Sequence, residues 1–168
     1  NFIMTAFGKD RPGIASDVTE ILYENGCNLK DTTMTLLVDE FTLILHFTSN
    51  KEGIAGILEK ECRRLERDRA VSAFIRPLGK NPQAGKANCF SSRIQVEGLD
   101  HAGIVYKISK FLAENTIGIV DLKSKVKASP ESGTALYIMD IHVQIPTGTD
   151  MDKISEGLSD VGDELHVE

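Results

Sequence analysis

Tryptophan is absent from the sequence, and phenylalanine and tyrosine bring the aromatic share of its 168 residues to only 6%. That shortage counts against a sheet that reads RNA by stacking bases on paired aromatic side chains. Excess positive charge is missing too: 19 Lys and Arg face 25 Asp and Glu, a net −6. Such a field repels phosphate backbones, so no direct grip on nucleic acid is expected. The three cysteines, Cys27, Cys62 and Cys89, are an odd set without C-x-x-C spacing, which fits neither a disulfide framework nor a tetrahedral zinc site and points to a reducing, cytoplasmic setting. No apolar run reaches the roughly 20 residues of a membrane helix, so no membrane association is expected. No leader of the signal type is seen at the start; the chain opens on Asn1, which reads as a trimmed version of a longer product.

Catalytic signatures are equally scarce. There is no serine-nucleophile motif, H-E-x-x-H, Walker loop or G-x-G-x-x-G, and the chain is read as non-enzymatic without a cofactor. His46, His101, His142 and His166 are scattered, and Asp140 and His142 form the one pair on a strand face, so no metal site is expected. The arginines at 63, 64, 67 and 69 alternate with Glu59, Glu61, Glu66 and Asp68, the pattern of a solvated helix face and not of a phosphate track.

What the chain does have is an ordinary globular composition, 41% hydrophobic and 26% charged, and an internal repeat. Shifting the sequence by 90 residues lays Asp100-His101-Ala102-Gly103-Ile104 over Asp10-Arg11-Pro12-Gly13-Ile14, and the register runs without a gap to Asp31 over Asp121. Eight pairs are identical: Gly8/Gly98, Asp10/Asp100, Gly13/Gly103, Ile14/Ile104, Leu22/Leu112, Glu24/Glu114, Asn25/Asn115 and Asp31/Asp121. Identity at glycines, apolar positions and turn residues is what a duplicated supersecondary unit requires.

In the first copy, residues 2–7 read as a buried strand ended by Gly8. Ile14, Val18, Ile21 and Leu22 recur at helical spacing, with Pro12 suited to the first turn and Asn25-Gly26 as the stop. Residues 27–38 and 41–48 read as a hairpin turned by Asp39-Glu40. Ser49 to Glu52 has capping-box spacing before a second helix, and residues 71–77 supply a last strand. The order strand, helix, strand, strand, helix, strand is the ferredoxin-like βαββαβ arrangement, with both helices on one sheet face. The predicted organisation is therefore α+β, with a first domain at 1–77, a linker at 78–88 and a second domain at 89–168. In the second copy the hairpin is lengthened around Ser129 to Gly133, a helix runs from Met151 to Val161, and Glu164 to Glu168 reads as a final strand cut short.

Gly8-Lys9-Asp10-Arg11-Pro12-Gly13-Ile14, followed by Asn25-Gly26-Cys27-Asn28-Leu29-Lys30-Asp31, resembles the first half of an ACT domain. Two such modules in tandem, with Glu40-Phe41-Thr42 opening the third strand and no catalytic domain, are most similar to the glycine cleavage system transcriptional repressor group. The resemblance is diluted in the second copy, where Arg11, Pro12 and Asn28 become His101, Ala102 and Gly118. It implies a cytoplasmic regulator that binds a small amino acid, glycine or serine, between paired modules. Such a regulator signals to a protein partner such as a transcription factor and forms a homodimer.

Residue chemistry supports such a site independently. A free amino acid needs donors for its carboxylate and acceptors for its ammonium. Gly13 allows close backbone approach, the amides of Gly13, Ile14 and Ala15 point out of a helix N-terminus, and Asp10 can accept from the ammonium. Asn28 both donates and accepts and matches a position from which the family often contacts its effector. Arg11 and Asp31 complete the candidate set. Each residue also has a purely structural role open to it: Asp10 as a cap, Arg11 as cover for apolar surface, Asn28 as a tie on its turn. The alternative for the whole chain is a pair of interaction modules with no small-molecule effector.

Overall fold

The structure is a computed structural model that describes residues 1–79, 88–128 and 134–168. The chain divides into two units, Asn1–Gln83 and Ala84–Glu168. Most of the expected linker and the widened hairpin at Ser129 to Gly133 lie outside the described residues.

The first unit runs β1 (Phe2–Lys9), α1 (Ile14–Glu24), β2 (Asn28–Leu37), β3 (Glu40–Thr48), α2 (Ile54–Arg69) and β4 (Ser72–Pro77). Its antiparallel sheet has the order β2-β3-β1-β4. Strict alternation along β3 sends Phe41, Leu43, Leu45 and Phe47 into the core. There they meet Met4 and Ala6 from β1, Ile14, Val18, Ile21 and Leu22 from α1, and Ile54, Leu58, Cys62 and Leu65 from α2. The opposite sheet face carries Phe7, Ile44 and Phe74, all exposed.

The second unit runs β5 (Cys89–Leu99), α3 (Ile104–Glu114), β6 (Gly118–Ala128), β7 (Ala135–Pro146) and α4 (Met151–Leu165), with sheet order β5-β7-β6. Its core repeats the first: Ile104, Ile108 and Leu112 pack with Met139, Ile141 and Val143. Its open sheet face is charged, with Arg93 joined to Asp140 and Lys123 to Asp121. Both units are α+β and ferredoxin-like.

The duplicated residues repeat their structural tasks. The Asn25 side-chain amide donates to the Ile21 carbonyl at 2.8 Å, and Asn115 does the same to Phe111 at 2.9 Å. A register shift falls between Leu29 and Asp31 in β2 and between Ile119 and Asp121 in β6. Gly8 and Gly98 sit where the chain returning from the second helix crosses the first strand. A Cβ on Gly8 would lie 3.1 Å from the Ala70 carbonyl oxygen, and one on Gly98 2.9 Å from that of His166.

Several local expectations change. Pro12 lies outside α1, because Gly13 is the N-cap. The Ser49–Glu52 capping box does not form: α2 starts at Ile54 with Gly53 as N-cap, and the Ser49 hydroxyl accepts from the Lys51 amide at 3.2 Å. The hairpin turns one residue earlier than expected, with Val38 at φ 59° and Glu40 already paired to Leu37. Helix α4 continues past Val161, because its next turn delivers Leu165 to the core. His166 then reverses the chain at φ 52°. Of the strand expected at Glu164 to Glu168, only the last residues pair, through the Gly98–Val167 bridge and two 2.8 Å bonds between Glu97 and Glu168.

Two measurements check these contacts. Gly98→Ala should lower the stability of the second unit by about 1–3 kcal/mol in urea unfolding, because backbone atoms must move to admit the methyl group. Gly118→Ala, whose Cβ meets only the Gln144 oxygen at 3.9 Å, should change it by no more than about 0.5 kcal/mol. Burial pushes the Cys62 thiol up to about 11, whereas Cys89 is exposed. A thiol reagent at pH 8 should therefore label Cys89 rapidly and Cys62 only when the first unit opens.

Candidate functional site

The corner between β1 and α1 is built from its backbone outward. Leaving β1, the Asp10 amide donates to the Asp39 carbonyl at 2.7 Å, which ties the corner to the β2–β3 turn. Gly13 stands at φ 87° and ψ −4°, a left-handed conformation that side chains with a Cβ adopt only under strain. Its carbonyl accepts from the Asp17 amide at 2.9 Å and so opens the helix. A Cβ on Gly13 would meet nothing within 4 Å, and Asp10, Pro12 and Gly13 are all exposed. The corner is thus an open, polar helix N-terminus of the kind that attracts anions.

The other candidates divide into engaged and exposed groups. The Arg11 guanidinium pairs with the Asp17 carboxylate at 2.5 Å, and Asp17, only 16% exposed, also faces Arg69 at 3.5 Å. Arg11 therefore fastens the corner to the first turn of α1, and Asp17 in turn links that turn to the end of α2. The Ile14 side chain is core, and its amide donates to the Arg11 carbonyl at 3.2 Å; Ala15 is half-buried. Asn28 is exposed at the first position of β2, opposite Thr48. Asp31 is exposed on the sheet face away from the helices, with its carboxylate 3.0 Å from His46 Nδ1. His46 Nε2 is buried without a hydrogen-bond partner. Sequence reasoning passed over His46, although an Asp–His cross-strand pairing recurs as Asp121 with His142.

The strand register decides which of these residues can act together. Gly8 pairs with Phe41, and Leu37 with Glu40, so the Gly13 corner lies at the end of the sheet where β2 finishes. Asn28 pairs with Thr48, beside Phe2 and Phe47, at the opposite end. The eight residues of β1 separate the two, about 25 Å at the usual strand rise. One unit by itself does not join Asp10 and Gly13 to Asn28 around a small molecule.

Between them, along the side of α1 facing β2, runs an open concavity of about 410 Å³ lined by Ser16, Thr19, Glu20, Leu22, Tyr23, Cys27 and Leu29. It offers a carboxylate and hydroxyls against an apolar floor. Burial raises the Cys27 thiol above its ordinary value, which makes it a poor nucleophile. Among the described residues no three His, Cys, Asp or Glu side chains gather where they could hold a metal ion. Asp140 is taken up by Arg93, whose Nη2 donates at 2.6 Å and holds that carboxyl below its usual range. No helix among the described residues is long and apolar enough to cross a membrane.

Residues 1–73 match the family model of the ACT domain. Over 166 residues the chain is 21% identical to the glycine cleavage system transcriptional repressor of Escherichia coli (strain K12), spanning 99% of this chain and 86% of the relative. A UPF0237 protein of Neisseria meningitidis serogroup A is 33% identical over 73 residues, covering 40% of this chain and 81% of the relative. Among solved structures, a protein from Galdieria sulphuraria superposes with a TM-score of 0.82 at 24% identity, covering 99% of this chain and 94% of the other. By its left-handed corner, its βαββαβ order and the family match over residues 1–73, the first unit is an ACT domain.

Proposed function

We propose that the protein is a non-catalytic regulator. It binds a small amino acid, glycine or serine, and passes the signal to a protein partner such as a transcription factor of glycine and one-carbon metabolism. Its whole-length likeness to the Escherichia coli repressor supports the regulatory half of this reading. The open corner at Gly13 carries the binding half: unobstructed backbone at a helix N-terminus, beside the exposed Asp10, suits a carboxylate and an ammonium on one molecule.

A second copy of the chain would complete the site. Because Asn28 lies at the far end of β2, antiparallel pairing of that edge with the same edge of a second chain would carry the partner's Asn28 towards the corner. In this reading the site is shared across a homodimer. Asp10, Gly13 and Ala15 come from one chain and Asn28 from the other, while Arg11 and Ile14 hold the corner in shape and Asp31 stands off on the open face. A second reading, paired interaction modules with no effector, is favoured by the apolar side chains on the open face of the first unit, where Phe7, Ile44 and Phe74 are 43–53% exposed.

Titration calorimetry with the common amino acids separates the two. Heat with glycine or serine is expected, and a folded chain that gives none with any of them leaves only the interaction reading. Asn28→Ala should weaken binding by about tenfold through the loss of a ligand hydrogen bond while leaving the melting temperature in place. Gly13→Val should lower both, since a β-branched residue at that φ adds about 1–3 kcal/mol of strain. Unchanged affinity in the Asn28 variant would remove that residue from the site.

A further inference from the structure

The corner of the second unit repeats the backbone of the first, with Gly103 at φ 102° and its carbonyl accepting from the Lys107 amide at 2.9 Å. Its side-chain chemistry differs. Where Arg11 engages Asp17, and through it Arg69 at the end of α2, His101 reaches across to the last carbonyl of α4. Its Nε2 lies 2.6 Å from the Leu165 carbonyl oxygen and its Nδ1 3.1 Å from that of Ala102. A carbonyl oxygen can only accept. A neutral imidazole has one N–H, so it can satisfy one of these contacts, and only the doubly protonated ring donates to both.

We infer that the second unit carries a proton-operated latch: the His101 ring, held between the Ala102 and Leu165 carbonyls, fastens the end of α4 most firmly while both its nitrogens carry hydrogen, and on losing a proton it keeps only one contact, without the help of charge. What the latch holds is specific. Immediately after Leu165 the chain turns at His166 and lays Val167 and Glu168 against Gly98 and Glu97 of β5. Losing the proton weakens the hold on the last carbonyl of α4, and with it the anchor for this pairing. In the first unit the counterpart Arg11 instead pairs with Asp17 of α1, which also faces Arg69 of α2, and arginine does not titrate in the same range.

The surrounding charges set the direction. From the corner itself Asp100 favours the cation, and from α3 Lys107 opposes it. Lys107 is in turn ion-paired with Glu164 of α4, and Asp163 and His166 stand at the same helix end, joined through the His166 amide and the Asp163 carbonyl at 3.2 Å. The two carbonyl contacts are the leading causes that raise the His101 pKa above its ordinary value. A raised folded-state value means that the stabilisation is complete below the ordinary imidazole range, near 6.5, and is lost as pH climbs through the raised value.

The test uses the whole chain labelled with ¹⁵N-histidine. The latch requires both His101 ring nitrogens to show protonated shifts at pH 6, with the ring titrating above the free imidazole value. Amide exchange, corrected for its intrinsic pH dependence, should show Glu97 and Glu168 losing about fivefold in protection between pH 6 and pH 9, while β3 amides of the first unit hold theirs. In His101→Gln that protection should be low at both pH values, and in His166→Gln the wild-type profile should persist. A ring that titrates at or below the free value, or a neutral single tautomer at pH 6, overturns the proposal, and so does equal protection in wild type and His101→Gln. Should His101→Gln fail to fold, the ring spectrum of the unmodified chain decides alone.

Discussion

A strand that hands its chain to a helix within four residues needs one backbone position far on the positive side of φ, and Gly13 and Gly103 provide it at 87° and 102°. From that reversal the placement of α1 and α3 over their sheets follows, because Ile14 and Ile104, the next residues, enter the core at 2% exposure. The same reversal leaves the glycine itself on the surface with its surroundings open. One constraint thus creates both the packed interior and the polar corner outside it, so the feature that fastens the fold is also the one offered to a ligand.

The parts of this architecture that the sequence announces are those where a residue type answers to one geometry. Paired glycines at 90-residue spacing marked the corners and the close crossings, and the alternation of Phe41, Leu43, Leu45 and Phe47 marked the buried face of β3. Signals with more than one solution were less readable. Ser49 had the spacing of a capping box, yet its hydroxyl serves the Lys51 amide while Gly53 caps the helix. Glu164 and Leu165 fit a strand as well as a helix until the core beneath α4 is known. The candidate site was legible as a set of residue types and not as a place. That Asp10 and Asn28 stand at opposite ends of one sheet depends on cross-strand register, which local composition does not contain.

The copies have diverged most where they meet their surroundings. In the first unit the open sheet face carries the apolar Phe7, Ile44 and Phe74 beside the Asp31–His46 pair, and the corner is tied by arginines through Asp17. In the second the open face is covered with ion pairs such as Arg93 with Asp140, and the corner is tied through an imidazole. Duplication preserved the interior pattern of Ile14, Leu22 and Asn25 in Ile104, Leu112 and Asn115, while surface chemistry was free to specialise. A tandem protein of this kind can give its halves different tasks without a change of fold.

The edge strands of the two sheets differ in a way that bears on how the chain survives its own synthesis. Past the register shift, β6 reads with lysines at 123, 125 and 127, whereas residues 32–37 of β2 carry no charge and end in two leucines. Repeated lysines repel a foreign strand, and a flat uncharged border invites one. Before its native neighbours are in place, the earlier half is therefore the adhesive one, and clumping of half-made chains would begin along its threonine- and leucine-rich rim.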